Sequence, residues 1–292
     1  MIEGIINSAG EYFSVLGNAS LCYVALAFFT YYISVLLYAL RWKLVLKSLG
    51  RDVPFGELVK AILASIFMNN VTPLSRSGGE LLRVAWVSRR ASVPSGISAI
   101  SIVYERILET IPVFMLFMLG AAYFSRESLP LIAVGLVGVA LLWFRWDSFV
   151  RISLRLFKTE VGEGEIDGIV GLRSCREVNL AGVGLSSLVW LLDVVRLKLI
   201  AMALGLSLSW GFVALVSVAN LLFGLVAFTP GGVGIIEGGL VGTLAHFGVP
   251  FPFAVSMTLV ERFVSYVVST IVGLIVLVSS GGVEIWRALK SQ

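Results

Sequence analysis

Amide, hydroxyl and charged side chains crowd residues 69–80 of a chain that is otherwise strongly apolar. A Thr-Pro pair begins there at Thr72 and is followed, eight positions after the threonine, by Glu80. A later stretch repeats this pattern, with a Thr-Pro pair at Thr229 and an acid at Glu237. Arginine presents a planar fork of donors that suits phosphate oxygens. With the arginines near the first pair, the pattern predicts that the first of these polar loops binds an anionic group.

Charged landmarks recur around the two Thr-Pro loops at nearly constant spacing. The matched pairs are Arg41 and Arg196, Glu80 and Glu237, Glu105 and Glu261, and Arg106 and Arg262, with offsets of 155, 157, 156 and 156 residues. Chance is a poor explanation for several independent landmarks at one spacing. The chain is therefore predicted to be a single transmembrane domain, 1–292, containing two copies of one unit at about 18–125 and 178–280.

The composition places this pattern in a membrane. Hydrophobic residues make up 58% of 292 residues, charged residues make up 14%, and the mean hydropathy is +0.96. Such values lie far outside those of a soluble domain. Unbroken apolar runs of about 20 residues favour spanning helices over the alternating strands of about 10 residues found in barrels. The predicted fold is an all-α, polytopic helical membrane protein with two inverted-topology repeats, each containing a re-entrant helical hairpin.

Five full crossings and two hairpins account for the apolar runs. The crossings are predicted at about 21–40, 97–124, 129–146, 178–204 and 253–278. Residues 57–92 form two arms of about 15 residues, too short to span, so we predict a hairpin that dips in from the cytoplasm. The second hairpin is predicted at 210–248. Its first arm is apolar and long enough to span, so the re-entrant path of this hairpin is inferred from the repeat alone. Glycine and acid in 162–171 predict a flexible loop.

Basic residues set the expected orientation in the cell membrane. Arg41 opens a basic cluster directly after the first crossing, whereas the segment before that crossing contains acids and no base. The positive-inside rule then puts the N-terminus outside and the C-terminus in the cytoplasm. Arg196 conflicts with this rule near the outer end of its helix. Snorkelling, or pairing with Asp193 one turn earlier, would accommodate it.

Charges inside the predicted helices need partners, because a charge at the bilayer centre costs about 2.5 to 3.5 kcal/mol or more. Glu105 and Arg106 are adjacent and therefore point about 100° apart on a helix. Each must look to another element, and Glu261 and Arg262 face the same problem. Two interpretations stay open: buried ion pairs that clip helices together, or direct contact with a substrate.

The two hairpins differ in charge. Arg76 and Arg83 in the first correspond to Val233 and Leu240 in the second, and the Asn69-Asn70 pair corresponds to an apolar pair. Arg76 and Arg83 are the leading candidates for a phosphate-binding role, with anchoring at the cytoplasmic interface as the alternative. As loop arginines facing a groove they are expected to leave no buried carboxylate stranded when replaced.

The remaining inventory of reactive residues is poor. The chain has one histidine, His246, two scattered cysteines and no nucleotide-binding loop of the Gly-x-x-x-x-Gly-Lys-Ser/Thr type. We therefore predict no cofactor, no metal and no nucleic acid partner. Inverted repeats with polar loops meeting near the midplane are instead typical of secondary transporters.

The paired motifs also resemble a known family. Asn-x-x-Thr-Pro-x-x-x-x-Gly-Gly-Glu-x-x-Arg (69–83), Thr-Pro-Gly-Gly-Val-Gly-x-x-Glu-Gly (229–238) and the late Glu-Arg pair at Glu261 are similar to the lysylphosphatidylglycerol synthase transmembrane region, or flippase-like domain, family. The resemblance implies a membrane domain that moves aminoacylated phospholipid or related polyprenyl-linked lipids between leaflets, sometimes fused to a soluble synthase. This chain shows no synthase domain, so no aminoacyl transfer is expected.

Three functions follow as hypotheses. The first is a lipid flippase or scramblase acting on an anionic or aminoacylated phospholipid or a polyprenyl-linked lipid. The second is an integral-membrane lipid-modifying enzyme with Glu80 or Glu237 as general base. The third is a partner that docks a separate soluble synthase; a homo-oligomer is a further option. The expected substrate-binding residues are Asn69, Asn70, Thr72, Arg76, Glu80, Arg83, Glu105, Arg106, Thr229, Gly231, Gly232, Glu237, Glu261 and Arg262.

Overall fold

The described part of the chain is helical throughout. A computed structural model describes residues 11, 14–72, 77–120, 129–156 and 163–290, and no strand occurs among them. The helices are α1 (Leu21–Ser48), α2 (Phe55–Val71), α3 (Ser77–Ala91), α4 (Ser95–Gly120), α5 (Leu129–Phe144), α6 (Trp146–Leu156), α7 (Glu163–Gly171), α8 (Arg176–Ala203), α9 (Trp210–Val226), α10 (Ile235–His246), α11 (Phe251–Arg262), α12 (Ser269–Ser279) and α13 (Gly282–Lys290). Single 3₁₀ turns lie at Leu172–Ser174 and Pro230–Gly232, and a π-helical turn, Phe263–Val268, joins α11 to α12. The predicted all-α fold is confirmed.

Three of these helices are long and apolar enough to cross a bilayer. They are α1, α8 and the continuous helix Phe251–Ser279, with 28, 28 and 29 residues. Large apolar side chains such as Phe29, Leu180 and Ile275 are exposed on their surfaces. Such side chains are favourable against lipid acyl chains and unfavourable in water. The molecule is an integral membrane protein.

The two other predicted crossings are less regular. Helix α4 has 26 residues but contains Glu105, Arg106 and Glu109. Helix α5 has 16 residues, or about 24 Å at 1.5 Å per residue, which is less than the hydrocarbon thickness of about 30 Å. Residues 121–128, between these two helices, lie outside the described residues. That α4 and α5 cross the membrane fully stays a prediction.

Local structure repeats at the offset found in the sequence. Helices α1 and α8 both have 28 residues and begin 155 residues apart, and α2 and α9 both have 17 residues at the same offset. After α1, Gly50 has φ 73° and its N–H donates to Lys47 O; after α8, Gly205 has φ 75° and donates to Met202 O. Positive φ at both sites is the usual reason for glycine at a helix end. The matches support two copies of one unit, whereas their inverted orientation stays a prediction.

Both predicted hairpins form as pairs of packed helices, which we call the first hairpin (α2 and α3) and the second hairpin (α9 and α10). In the first, the arms approach so closely that a Cβ on Gly79 would lie 2.4 Å from Ser65 O. The first arm of the second hairpin ends at Val226 after 17 residues, about 25 Å. Seventeen residues lie at the lower limit of about 17 to 25 for a spanning helix, so whether this arm spans or turns back inside the membrane stays a prediction.

The halves interlock through their long helices. Helix α1 packs along α8, and the first arm of each hairpin packs on a long helix of the other half: α2 on α12, and α9 on α4. The contact is tightest at Gly273, where an added Cβ would lie 2.5 Å from Leu63 O. This exchange of hairpins leaves a polar space between the halves.

The segment between the halves is more ordered than the sequence suggests. Residues predicted as a flexible loop form helix α7, because Ile169 is buried and its carbonyl accepts a hydrogen bond from Trp146 Nε1 at 3.1 Å. The glycine content is overridden by this packing. Helix α6 buries Trp146 and Val150 and exposes Arg151, as an amphipathic helix should.

Candidate functional site

A cavity of about 310 Å³ lies between the two halves. It is bounded by α1, α4 and the first hairpin on one side, and by α8, the second hairpin and α11 on the other. Its polar lining includes Tyr31, Ser34, Tyr38, Ser65, Asn69, Asn70, Glu80, Arg83, Arg106, Glu109, Asp193, Arg196, Ser217, Asn220, Glu261, Arg262 and Ser265. The lining contains four arginines and four carboxylates, so an anionic group that enters the cavity has to compete with carboxylates for the arginine donors.

Glu105 is the centre of a buried ion cluster in the first half. Arg41 Nε contacts its Oε1 at 3.2 Å, and Arg83 Nη2 contacts its Oε2 at 2.5 Å. The Glu105 and Arg41 side chains are almost completely inaccessible to solvent. Arg41 also donates to Ser186 on α8 at 2.7 Å and so ties the halves together. With a cation on each oxygen, Glu105 is fully compensated.

A second group of charges in the first half faces the cavity. Arg106 on α4 donates to Glu80 on the neighbouring helix α3. It also donates to Glu109 Oε2 on its own helix at 2.8 Å. Arg83 Nη1 contacts the other oxygen of Glu80 at 3.2 Å. The Arg106 side chain is 40% exposed, well above Arg83 at 8%. Arg106 is therefore the more accessible of these two cations.

The second half has its own buried cluster around Arg196. Its Nη1 contacts Glu261 Oε1 at 3.0 Å and its Nη2 contacts Asp193 Oδ1 at 2.5 Å. Ser217 donates to the other oxygen of Asp193. The guanidinium also lies over the ring of Tyr31 on α1, 5.7 Å from its centroid. Because Tyr31 is the repeat counterpart of Ser186, each central arginine contacts the matching position of the opposite half.

Arg262 holds the tip of the second hairpin. Its Nε contacts Glu237 Oε1 at 2.6 Å, and its Nη2 donates to Gly231 O at 2.7 Å. Glu237 Oε2 accepts from the N–H of Gly234, at the start of α10. Tyr266 lies under the guanidinium at 4.4 Å. The pairing of Arg262 with Glu237 repeats that of Arg106 with Glu80.

The tips of the two hairpins meet beside the cavity. Asn70 Nδ2 donates to Thr270 Oγ1 at 2.7 Å, which ties the first hairpin to α12. At the second tip, a Cβ on Gly231 would lie 3.0 Å from Asn70 O and 2.2 Å from the Tyr266 ring, and the residue has φ 60°. Only glycine combines that φ with this approach. The glycine-rich turn therefore serves close packing of the two tips.

Most sequence-predicted residues come together at the cavity. Those that line it are Asn69, Asn70, Glu80, Arg83, Arg106, Gly231, Gly232, Glu261 and Arg262. Glu105 and Glu237 lie behind them as ion-pair partners. Thr72 and Thr229 instead donate to Met68 O and Val233 O within their own loops. Arg76 lies outside the described residues.

Two arginines have surroundings that differ from the sequence prediction. Arg83 was expected in a groove-facing loop, but it lies in α3, is buried, and is stacked over Trp42 at 4.1 Å. It is no interfacial anchor, and its removal does strand part of a buried carboxylate, Glu105. Arg41 was counted in the cytoplasmic basic cluster and is only 1% exposed inside the protein. Its charge is compensated by ion pairs with Glu105 and Glu109.

The expectation that neighbouring Glu and Arg residues seek separate partners is confirmed for Glu105 and Arg106. The pairing of Arg196 with Asp193 is also confirmed, although sequence reasoning did not connect it with Glu261. Arg196 offered a signal, since a base on the wrong side of a membrane helix indicates a buried partner. Glu109 offered the same signal as Glu105, a charge in an apolar helix, whereas Tyr38, which donates to Glu109 Oε1 at 3.3 Å, offered none.

Comparison with known proteins gives a consistent match over most of the chain. The family model described as the lysylphosphatidylglycerol synthase TM region matches residues 8–273. A UPF0104 membrane protein of Pyrococcus horikoshii is 26% identical over 88% of this chain and 86% of its own length. UPF0104 membrane proteins of Methanocaldococcus jannaschii (26% identical; 89% and 85%) and Methanothermobacter thermautotrophicus (27%; 95% and 89%) are similar. No solved structure gives a significant match.

Proposed function

This chain belongs to the lysylphosphatidylglycerol synthase TM region family, and we propose that it moves a phosphate-bearing membrane lipid between the two leaflets. The observation that supports this most is the cavity itself. It lies between two interlocked halves of a membrane protein and contains four arginines, two from each half. A lipid head group would pass through this space while its acyl chains stay in the bilayer.

Arg106 and Arg83 are the proposed phosphate contacts. Arg106 has the accessible guanidinium, and Arg83 has an Nε donor that is buried without a hydrogen-bond partner among the described residues. A buried unsatisfied donor is unfavourable by about 1 to 3 kcal/mol, so an incoming phosphate oxygen would relieve that cost. Arg76 stays a predicted contact from the sequence.

Release of the lipid is built into the same geometry. Glu80 already accepts from Arg83 and Arg106, so a phosphate has to compete with a carboxylate for both arginines. Binding by exchange of partners gives a weaker net affinity than binding by free guanidinium groups. A transporter needs this, because a head group held too tightly would not leave the cavity.

The same contacts argue against the enzymatic alternative. A general base needs an oxygen within reach of the proton it removes. Both oxygens of Glu80 are taken by arginines, and those of Glu237 are taken by Arg262 and the N–H of Gly234. Transport is therefore the function that the geometry supports better.

Reconstitution into liposomes tests the proposal. Purified protein in vesicles containing a fluorescent phosphatidylglycerol should speed the exchange of that lipid between leaflets, measured by chemical quenching of the outer leaflet. Arg106→Gln should slow exchange, whereas Arg89→Gln, at an exposed site on α3, should not. If exchange with wild-type protein is no faster than in protein-free vesicles while mass spectrometry finds a modified lipid, the enzyme hypothesis replaces this one.

The orientation proposed for transport has its own test. We place the N-terminus outside and the C-terminus in the cytoplasm, as expected for inverted repeats. A cysteine introduced at Ser8 should react with an impermeant reagent added to intact cells, and one at Ser291 only after the membrane is opened. The native cysteines, Cys22 and Cys175, must be replaced by serine first. Labelling of both positions from one side would refute the inverted arrangement.

A further inference from the structure

The two central glutamates of the repeat differ in one respect. Glu105 has an arginine on each carboxylate oxygen, Arg41 on Oε1 and Arg83 on Oε2. Glu261 has Arg196 on Oε1, but its Oε2 is buried and has no hydrogen-bond partner among the described residues. The cause is visible in the repeat, because the counterpart of Arg83 is Leu240. The second half lacks the cation that would complete the site.

The charge balance of the described ion pairs shows the same deficit. In the first half, three arginines pair with three carboxylates: Arg41, Arg83 and Arg106 with Glu80, Glu105 and Glu109. In the second half, two arginines pair with three: Arg196 and Arg262 with Asp193, Glu237 and Glu261. The second cluster is therefore one positive charge short. A carboxylate that is 1% exposed cannot be compensated by bulk water.

The chemistry of the gap selects the missing cation. A metal ion needs several oxygen ligands at once, and no group of three or more metal-binding side chains is found in the described part of the chain. Here a single buried oxygen lacks a partner. A proton needs only that one oxygen, and it supplies the one positive charge that the cluster lacks.

We propose that Glu261 is a proton-binding site on the cavity wall and that its proton moves in step with the lipid. This inference rests on the proposed lipid transport. Protonation forms an O–H bond at Oε2 with a proton drawn from water in the cavity, and it makes the second cluster neutral. Arg196 then faces a neutral acceptor in place of a carboxylate and keeps Asp193 as its only anionic partner.

The charged groups around Glu261 leave one of its two oxygens open to a proton. On α8 it faces Arg196 and, beyond it, Asp193; on α1 it faces Tyr31. Its neighbour in sequence, Arg262, is bound by Glu237 of α10. Among the described residues, the charged groups across the cavity are Glu80, Arg83, Arg106 and Glu109, and each of them is ion-paired with another member of this set. Among these carboxylates, Glu261 is the one with an unpartnered buried oxygen.

A pH gradient across liposomes tests the coupling. The vesicles contain fluorescent phosphatidylglycerol, which has no amine, and potassium with valinomycin holds the membrane potential at zero. One proton per lipid predicts that a gradient of one pH unit shifts the steady-state leaflet ratio about tenfold. The direction of the shift distinguishes symport from antiport. Glu261→Gln should show no shift, and Leu240→Arg, which adds the missing cation, should also suppress it.

The outcomes separate this inference from the proposed function. Wild-type exchange that is faster than in protein-free vesicles, with an unshifted leaflet ratio, would leave lipid transport standing and overturn the proton coupling. A shift that occurs only with an amine-bearing lipid would assign the site to a lipid ammonium and also overturn it.

A second measurement does not depend on transport. Infrared difference spectra of the purified protein between acid and alkaline pH should contain a carboxylic-acid band that Glu261→Gln removes. Glu57→Gln is the matched control, because Glu57 is a helical carboxylate bonded to Lys60 and Trp86 away from the cavity. An unchanged difference spectrum in folded Glu261→Gln protein would refute the protonation site whatever the lipid assays show.

Discussion

The first and second halves place the same four charged residues at the same points of the fold and surround them differently. Arg41, Glu105, Arg106 and Glu80 in one half correspond to Arg196, Glu261, Arg262 and Glu237 in the other, and equivalent pairs are in contact. Arg83 and Glu109 join the first set, so its described ion pairs contain three arginines and three carboxylates. Asp193 joins the second set without a further arginine, so that set contains two arginines and three carboxylates. The two halves therefore share a geometry but differ in charge: the described carboxylates of the first half are matched by arginines, and the second half has one carboxylate in excess.

The two hairpins also differ in the contacts that hold them in place. The first closes its arms with Gly79 against a backbone carbonyl and fastens its tip to the other half through Asn70. The counterpart of Asn70 is Ala227, which has no side-chain donor. The second hairpin is held instead by Arg262, which grips its glycine turn at Gly231. The first tip is therefore tied to the other half by a side-chain hydrogen bond, and the second is held by Arg262 and by the close packing of its glycine turn.

The largest expected effect comes from removing the central arginines. Arg196→Met strands Asp193 and Glu261 without another arginine, so we expect a loss of about 3 to 5 kcal/mol in stability. Arg41→Met leaves Glu105 with Arg83, so a smaller loss of about 1 to 3 kcal/mol is expected. Denaturant unfolding in mild detergent measures both. Equal losses would show that the halves are balanced alike.

Arg83→Gln should reduce both lipid binding and stability. Losing one charge-assisted hydrogen bond to phosphate costs about 1.5 to 3 kcal/mol, roughly tenfold or more in affinity. The buried oxygen of Glu105 that Arg83 holds is stranded at the same time, so the thermal midpoint should also fall. The control is Arg89→Gln on the same helix. Lipid transport and affinity at wild-type levels would exclude Arg83 as a phosphate contact.

The packing of the first hairpin can be tested with one methyl group. Gly79→Ala places a Cβ against Ser65 O and the Asn69 side chain, neither of which has room to yield, so a loss of about 1 to 3 kcal/mol is expected. Gly238→Ala in the second hairpin meets open space and should be neutral or stabilising by up to about 1 kcal/mol. Thermal unfolding of the two variants side by side provides the comparison. Tolerance of both would mean that the first hairpin opens easily.

The smallest effect is expected at the tip of the first hairpin. Thr270→Val keeps the side-chain shape and removes the acceptor for Asn70, at a cost of about 0.5 to 1.5 kcal/mol. Because this tether occurs on one side only, its loss should make the two hairpins more alike. Hydrogen exchange of the 66–72 amides should increase in the variant. Unchanged protection there would show that packing alone fixes the tip.

Much of the fold was predictable because it depends on local pattern. The start of α1, the extent of α8, the hairpin arms and the repeat offset follow from apolar run length and from the recurrence of charged landmarks. Helix α1 continues beyond its predicted end at residue 40, through Arg41 and Lys43, to Ser48. Helix α7 could not be predicted, since its order comes from the distant Trp146. The path of α9 relative to the membrane could not be predicted, because an apolar run that is barely long enough to span does not show whether the helix crosses.

The sequence predicted which residues belong to the site better than it predicted their ion-pair partners. Glu105, Arg106, Glu261 and Arg262 were conspicuous as charges in apolar helices, and the Thr-Pro loops marked the hairpin tips. The partners of Glu105 are 64 and 22 residues away in sequence, so no local pattern specifies them. Arg41 in particular resembled an ordinary positive-inside residue, because the sequence does not reveal which way it points.

The π-helical turn at Phe263–Val268, directly after Arg262, sets the rotation of α12 about the helix axis. A π-helical turn accommodates one more residue than an α-helical turn, so it rotates everything beyond it by about 100°. Beyond it lie Thr270, which accepts from Asn70, and Gly273, which touches Leu63 O. An uninterrupted α-helix of the same number of residues would swing both contacts off the first hairpin, whereas deleting one residue within the turn would remove the bulge and keep them in register. The one extra residue held in this turn thus sets the rotation of α12 that lets the two halves of the protein touch.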